Sequence, residues 1–146
     1  MNKPRTLSEA ELGQQRGISV RWTANFAIVS GLIMLVATIG LAHQTALHVK
    51  QIDSTTPEVQ RALDATIAAY LASSYRVGAL YGAISLAGAF LWRRKHWAPF
   101  MLTIACLAVV GRTIPAAMGS QLFALTSGMQ GVWLGYIVYR AWKYRH

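Results

Sequence analysis

Hydrophobic and polar positions alone divide the chain into four long apolar stretches separated by short charged ones. The first is free of Asp, Glu, Lys and Arg from Trp22 to Val49, whereas about 20 apolar residues suffice to cross a hydrocarbon core of roughly 30 Å. A spanning helix over 22–42 is predicted. The second stretch, Val77 to Trp92, holds only 16 uncharged residues, about 24 Å of helix. A crossing helix must therefore begin near Leu71 and carry Arg76 within it, which gives a span over 71–92. Trp97 to Gly111 and Thr113 to Tyr139 follow, with the lone Arg112 between them. "IPAAMGS", residues 114–120, is the one turn-like segment there, because Pro115 lacks a backbone donor and Gly119 can turn left-handed. Spans over 97–115 and 120–139, joined by a tight hairpin, result.

The polar segments have signals of their own. Residues 1–21 form an N-terminal segment in which "TLSEAEL" reads as a capping box, with Ser8 at the N-cap, Glu11 three residues on, and Leu7 and Leu12 as a staple. It predicts a short interfacial helix ending near Gly17. Residues 43–70 form the hydrophilic outer loop, and Thr56 followed by Pro57 marks a helix start that can run on into the second span.

Composition places this pattern in a class. The chain is 54% hydrophobic and 13% charged, about half the usual charged share, which is the signature of an integral membrane protein. A four-span domain over 22–146 brings both termini to one side. Lys3, Arg5, Arg16, Arg21, Arg93, Arg94, Lys95, Arg140, Lys143 and Arg145 share that side, against Lys50, Arg61, Arg76 and Arg112 on the other. By the positive-inside rule the richer side is the cytoplasm, and Trp22, Trp92, Trp97 and Trp142 flank the basic clusters there as an interfacial belt does. The expected fold class is an all-α, integral-membrane four-helix bundle, multi-pass in a bacterial inner (plasma) membrane, with N and C termini cytoplasmic. A net charge of +9 is read as orientation and contact with membrane lipid rather than nucleic-acid binding, which needs a solvated basic face. The first apolar run is too long and too far from the N-terminus for a signal peptide.

Arg76 lies 17 residues before Arg93 and Arg112 lies 17 after Lys95, so on helices both climb about 25 Å from the shared inner loop. They are expected near the outer edge of the hydrocarbon, where a guanidinium can snorkel. Each can simply anchor its helix. Alternatively, since no acid follows Asp64, Asp53, Glu58 and Asp64 can fold back as a lid-like ion-pair cluster over the bundle, or the arginines can hold an anionic or quinone-like molecule.

Other chemistry is poorly represented. The single cysteine, Cys106, excludes an intrachain disulfide and a cysteine zinc site. His43 and His48 fall at the outer end and His96 at the inner, so no bis-histidine haem site forms. No His-Glu-x-x-His, serine elbow, phosphate loop or paired carboxylates occur. No catalytic residue, metal or cofactor is therefore expected. "GALYG" and "GVWLG" are Gly-x-x-x-Gly motifs, and Gly78, Gly82, Gly131 and Gly135 are the expected helix-packing positions, either joining helices two and four or meeting another subunit.

The stretch from Tyr75 to Arg112 resembles the small four-helix DoxX-like membrane proteins, in particular a domain of unknown function with an arginine before a glycine-rich second span, a basic inner loop and a Gly-Arg closing the third. Arg76, Gly82, Gly111 and Arg112 carry that resemblance. It implies a fold and transfers no activity. The function expected is that of a non-enzymatic accessory or partner-binding component, including one that protects against a membrane-active toxin, with a protein partner or a second copy of the chain. The alternative is a small transporter or ligand-binding subunit using Arg76 and Arg112.

Overall fold

The computed structural model describes residues 9–51, 56–117 and 121–143, with side chains described outside 113–127. Among these residues the chain is all-α with no strand: α1 (Glu9–Lys50), α2 (Pro57–Trp92), α3 (Ala98–Ala117) and α4 (Gln121–Lys143). Each helix packs on its neighbour in sequence and α4 returns to α1, closing a four-helix bundle. The buried core draws Ala24 and Ala27 from α1, Ile84 from α2, Leu102 and Val109 from α3, and Leu134 and Ile137 from α4. Arg21 beside Trp92, and Arg140 beside Trp22, bring the Arg21–Trp22 stretch of α1, the α2–α3 turn and the end of α4 to one level of the bundle.

Helix lengths differ from the sequence expectation at the polar ends. α1 has 42 residues, about 63 Å, and α2 has 36, about 54 Å. No break occurs at Gly17: a lone glycine costs a helix about 1 kcal/mol but does not end one. The predicted outer loop over 43–70 is also mostly helical, since α1 continues to Lys50 and α2 begins at Pro57. Buried Ala42, Ala46 and Ile67 show why, for the seam continues past the apolar run. Thr45 and Thr66 are satisfied locally, each donating to the carbonyl four residues back. Thr56 is extended (φ −122°, ψ 133°) and its carbonyl accepts the Gln60 N–H at 3.1 Å, so α2 starts where Thr56–Pro57 predicts. Ser8 and Gly119 lie outside the described residues.

The tightest seam joins α1 to α2. A Cβ on Gly31 would stand 2.8 Å from the Tyr81 carbonyl oxygen, and one on Gly88 3.0 Å from that of Ala24. Ser85 donates its hydroxyl across this seam to the Ile28 carbonyl at 3.0 Å. Gly78 and Gly82 face α1 as well, against Ile39 and Leu35, whereas Gly131 and Gly135 meet nothing within 4 Å. The paired-motif contact between helices two and four is thus not formed by these glycines.

Much of the outside is apolar. Val29, Ile33 and Val36 on α1, Leu86 on α2, Ile104 and Leu107 on α3, and Met129 and Val132 on α4 are all exposed. Among the described residues α1 is the one helix long and apolar enough to cross a membrane, and Ala98–Arg112 is a shorter apolar helix. Only 17% of the most apolar stretch of α1 is buried, which is unlike the core helix of a soluble protein.

Candidate functional site

Three groups of polar or aromatic side chains stand out from the apolar background. The first is at the far end from the α2–α3 turn. Arg76 rises about 24 Å along α2 from Trp92, and Arg112 about 21 Å along α3 from Ala98, so the two stand at similar heights. Both are exposed. Glu58 and Asp64 do not join them: α2 is continuous from Pro57, which holds Asp64 about 18 Å and Glu58 about 27 Å from Arg76 along the same rigid rod. A lid built from these two acids is therefore not formed, and both sit instead at helical spacing from Arg61. Asp53 lies outside the described residues.

Beside Arg76 is a pair that sequence reasoning did not single out. His43 Nδ1 is 3.1 Å from the Ile39 carbonyl, and its Nε2 is 3.2 Å from the Tyr75 hydroxyl. A carbonyl can only accept, so in the neutral ring Nδ1 carries the proton and Nε2 accepts from Tyr75. The rings meet edge to face, 5.8 Å between centroids. The 32-residue separation hides this pairing until the register of the α1–α2 hairpin is known. Among the described residues no group of His, Cys, Asp and Glu is arranged to hold a metal ion.

The second group is inside the bundle. Tyr81, on α2 and 3% exposed, accepts a hydrogen bond from the Gln130 amide of α4. This is the polar tie between two diagonally placed helices. Tyr81→Phe is expected to cost about 1–3 kcal/mol, because the amide loses its partner among apolar side chains. Tyr81→Phe with Gln130→Leu should recover most of the loss, and a double-mutant cycle of thermal unfolding in mild detergent reads the coupling.

The third group girdles the other end. Trp22 stacks on Phe26 with centroids 5.2 Å apart, and Phe26 meets Trp133 edge-on. The Arg140 guanidinium lies 5.6 Å from the Trp22 ring and 5.8 Å from Tyr136. Arg21 covers Trp92 at 5.9 Å, and Lys143 covers Tyr139 at 5.7 Å. Trp142 donates its indole N–H to the Thr103 hydroxyl at 3.0 Å. The indoles of 22, 92 and 142 thus lie at one level on α1, α2 and α4. Sequence gives the residues of this belt but not which cation rides on which ring.

The α2–α3 turn adds Arg93, Arg94 and Lys95 to this end. Lys95 N–H donates to the Phe90 carbonyl and Arg94 N–H to that of Leu91, the hydrogen-bond pair of a Schellman cap. Arg94 occupies its left-handed position at φ 53°, where glycine is the usual residue. No protein-family model, curated protein or solved structure matches the chain.

Proposed function

We propose that the chain is a small polytopic protein of a bacterial inner membrane, crossing it four times with both termini in the cytoplasm. It acts without catalysis, as an accessory or partner-binding component of a larger assembly, and protection against a membrane-active toxin falls in the same class. One observation carries the reading: an outward apolar surface on every helix is bounded at one end by a basic, tryptophan-rich girdle. α3 and α4, at 20 and 23 residues, are about 30 and 35 Å long, the thickness of a hydrocarbon core. The cations at the girdle end fit the cytoplasmic leaflet. The DoxX-like resemblance agrees with this architecture.

In a Cys106→Ala background, Thr56→Cys is expected to react with a membrane-impermeant maleimide on intact cells. Lys95→Cys should react only after lysis. Reaction of both positions from outside would refute the orientation. Purification in mild detergent followed by mass spectrometry then tests the role, with a stoichiometric protein partner as the expected result.

The second reading is an anionic or quinone-like ligand near Arg76 and Arg112. The similar heights of two exposed arginines, with Glu58 and Asp64 held a long way off on α2, favour it. A retained small anion or quinone, in place of a protein, would select this reading.

A further inference from the structure

We propose that the girdle end holds an anionic glycerophospholipid of the cytoplasmic leaflet, its phosphate gathered by Arg21, Arg94 and Arg140 around α1. This rests on the membrane reading above and adds a specific ligand to it.

The three guanidinium groups come from separate segments yet converge on one stretch of α1. Arg21 belongs to α1 and lies over Trp92. Arg140 comes from α4 and lies over Trp22, the residue next to Arg21. Arg94 comes from the α2–α3 turn, and its Nη2 is 3.0 Å from where a Cβ on Gly17 would stand. Gly17 is one helical turn from Arg21, on the same face. A guanidinium stacked through its face keeps in-plane N–H donors for oxygen acceptors, and their fork matches phosphate geometry.

The balance of charge at this end favours an anion. Arg16, Arg93, Lys95 and Lys143 add to the three arginines, while the acids at this end among the described residues are Glu9 and Glu11. Along α1, Glu11 is about 15 Å from Arg21 and about 9 Å from Gly17, so cations outnumber acids at this end. Like charges brought together repel, and a phosphate between them removes the repulsion.

The backbone gives an independent sign. A non-glycine residue in the left-handed region costs about 1 kcal/mol relative to glycine, yet Arg94 sits there at φ 53°. Glycine would cap α2 better, so what the position gains is the guanidinium against α1. With no side chain at residue 17, the guanidinium lies close against the α1 backbone there.

The tail has a path too. Trp22, Val29, Ile33 and Val36 are spaced to form one stripe of α1, and all are exposed, Val36 to 66%. An acyl chain attached to a phosphate at Arg21 and Arg140 lies along this stripe. A free phosphate would have no use for it.

The full chain is reconstituted in phosphatidylcholine vesicles, and tryptophan quenching is compared for brominated phosphatidylglycerol and brominated phosphatidylcholine. Wild type is expected to prefer the anionic lipid. At about fivefold per arginine, Arg21→Gln with Arg140→Gln should reduce that preference roughly twenty-fivefold. Arg94→Gly should reduce it about fivefold while raising the unfolding temperature, opposite signs that a purely structural arginine does not give. Equal quenching by the two lipids in wild type, or a preference unchanged in both variants, overturns the proposal. Loss of the preference when inorganic phosphate is added at constant ionic strength assigns the site to a soluble anion and overturns it as well. A chain that stays in the aqueous phase sinks the membrane reading and this inference together, whereas incorporation without preference sinks this inference alone.

Discussion

Replacing Gly31 with leucine is expected to separate α1 from α2 and leave no folded bundle, and Gly31→Ala should already cost about 2 kcal/mol. The new Cβ would collide with the Tyr81 carbonyl oxygen at 2.8 Å and the Ser85 amide nitrogen at 3.0 Å, which are backbone atoms in the middle of a helix and cannot swing aside. Relief requires the two helices to move apart, breaking the Ser85 to Ile28 hydrogen bond and opening the cluster around Ile84. The internal control is α4. Gly131 and Gly135 have open space where a Cβ would stand, so alanine there gains up to about 1 kcal/mol each from helix propensity. Thermal unfolding in mild detergent should therefore lower the midpoint by about 4–8 °C for Gly31→Ala and hold or raise it for Gly131→Ala and Gly135→Ala. If the α4 variants prove the damaging ones, the close-packed seam involves α4 and a second copy of the chain, and the assignment to α1 and α2 fails.

That contrast also shows what the sequence made legible. Both Gly-x-x-x-Gly motifs are visible as patterns, but a pattern of small residues has no direction; only the placed neighbour helix decides which motif is used. The same kind of signal was present in α1, where Ala24, Ala27 and Gly31 fall on one face, and in α2, where Ser85 and Gly88 continue from Gly78. Four helices could be read because apolar runs of the right length leave few alternatives. Their polar extensions could not, because the helicity of 43–50 and 57–70 depends on Ala42, Ala46 and Ile67 having a partner across the hairpin. The similar heights of Arg76 and Arg112 followed from counting residues on helices, and the same rule, applied to an unbroken α2, removes Glu58 and Asp64 from their neighbourhood. Arg94 gave no signal: nothing in "RRKH" marks a left-handed cap, since glycine is absent from it.

The second large effect concerns two isoleucines of equal exposure. Ile18 and Ile33 are 62% and 61% exposed on α1, so in water arginine at either site would be tolerated within about 0.5 kcal/mol. In the membrane reading the two positions differ completely. Ile33 is about 16 Å along the helix from Trp22, near the middle of a hydrocarbon core of roughly 30 Å, while Ile18 lies one turn to the other side of Trp22, among the girdle cations. Arginine at the centre of a span costs about 3 kcal/mol in insertion. It has no acid to pair with at that depth, since Asp64 is the last acid in the chain, and the nearest water is half a bilayer away. Ile33→Arg should therefore sharply reduce the fraction of protein that resists alkaline carbonate extraction, and Ile18→Arg should leave that fraction unchanged. Equal behaviour of the two variants would mean that the outward face of α1 meets water or a protein partner rather than lipid, and the four-span reading would fall with it.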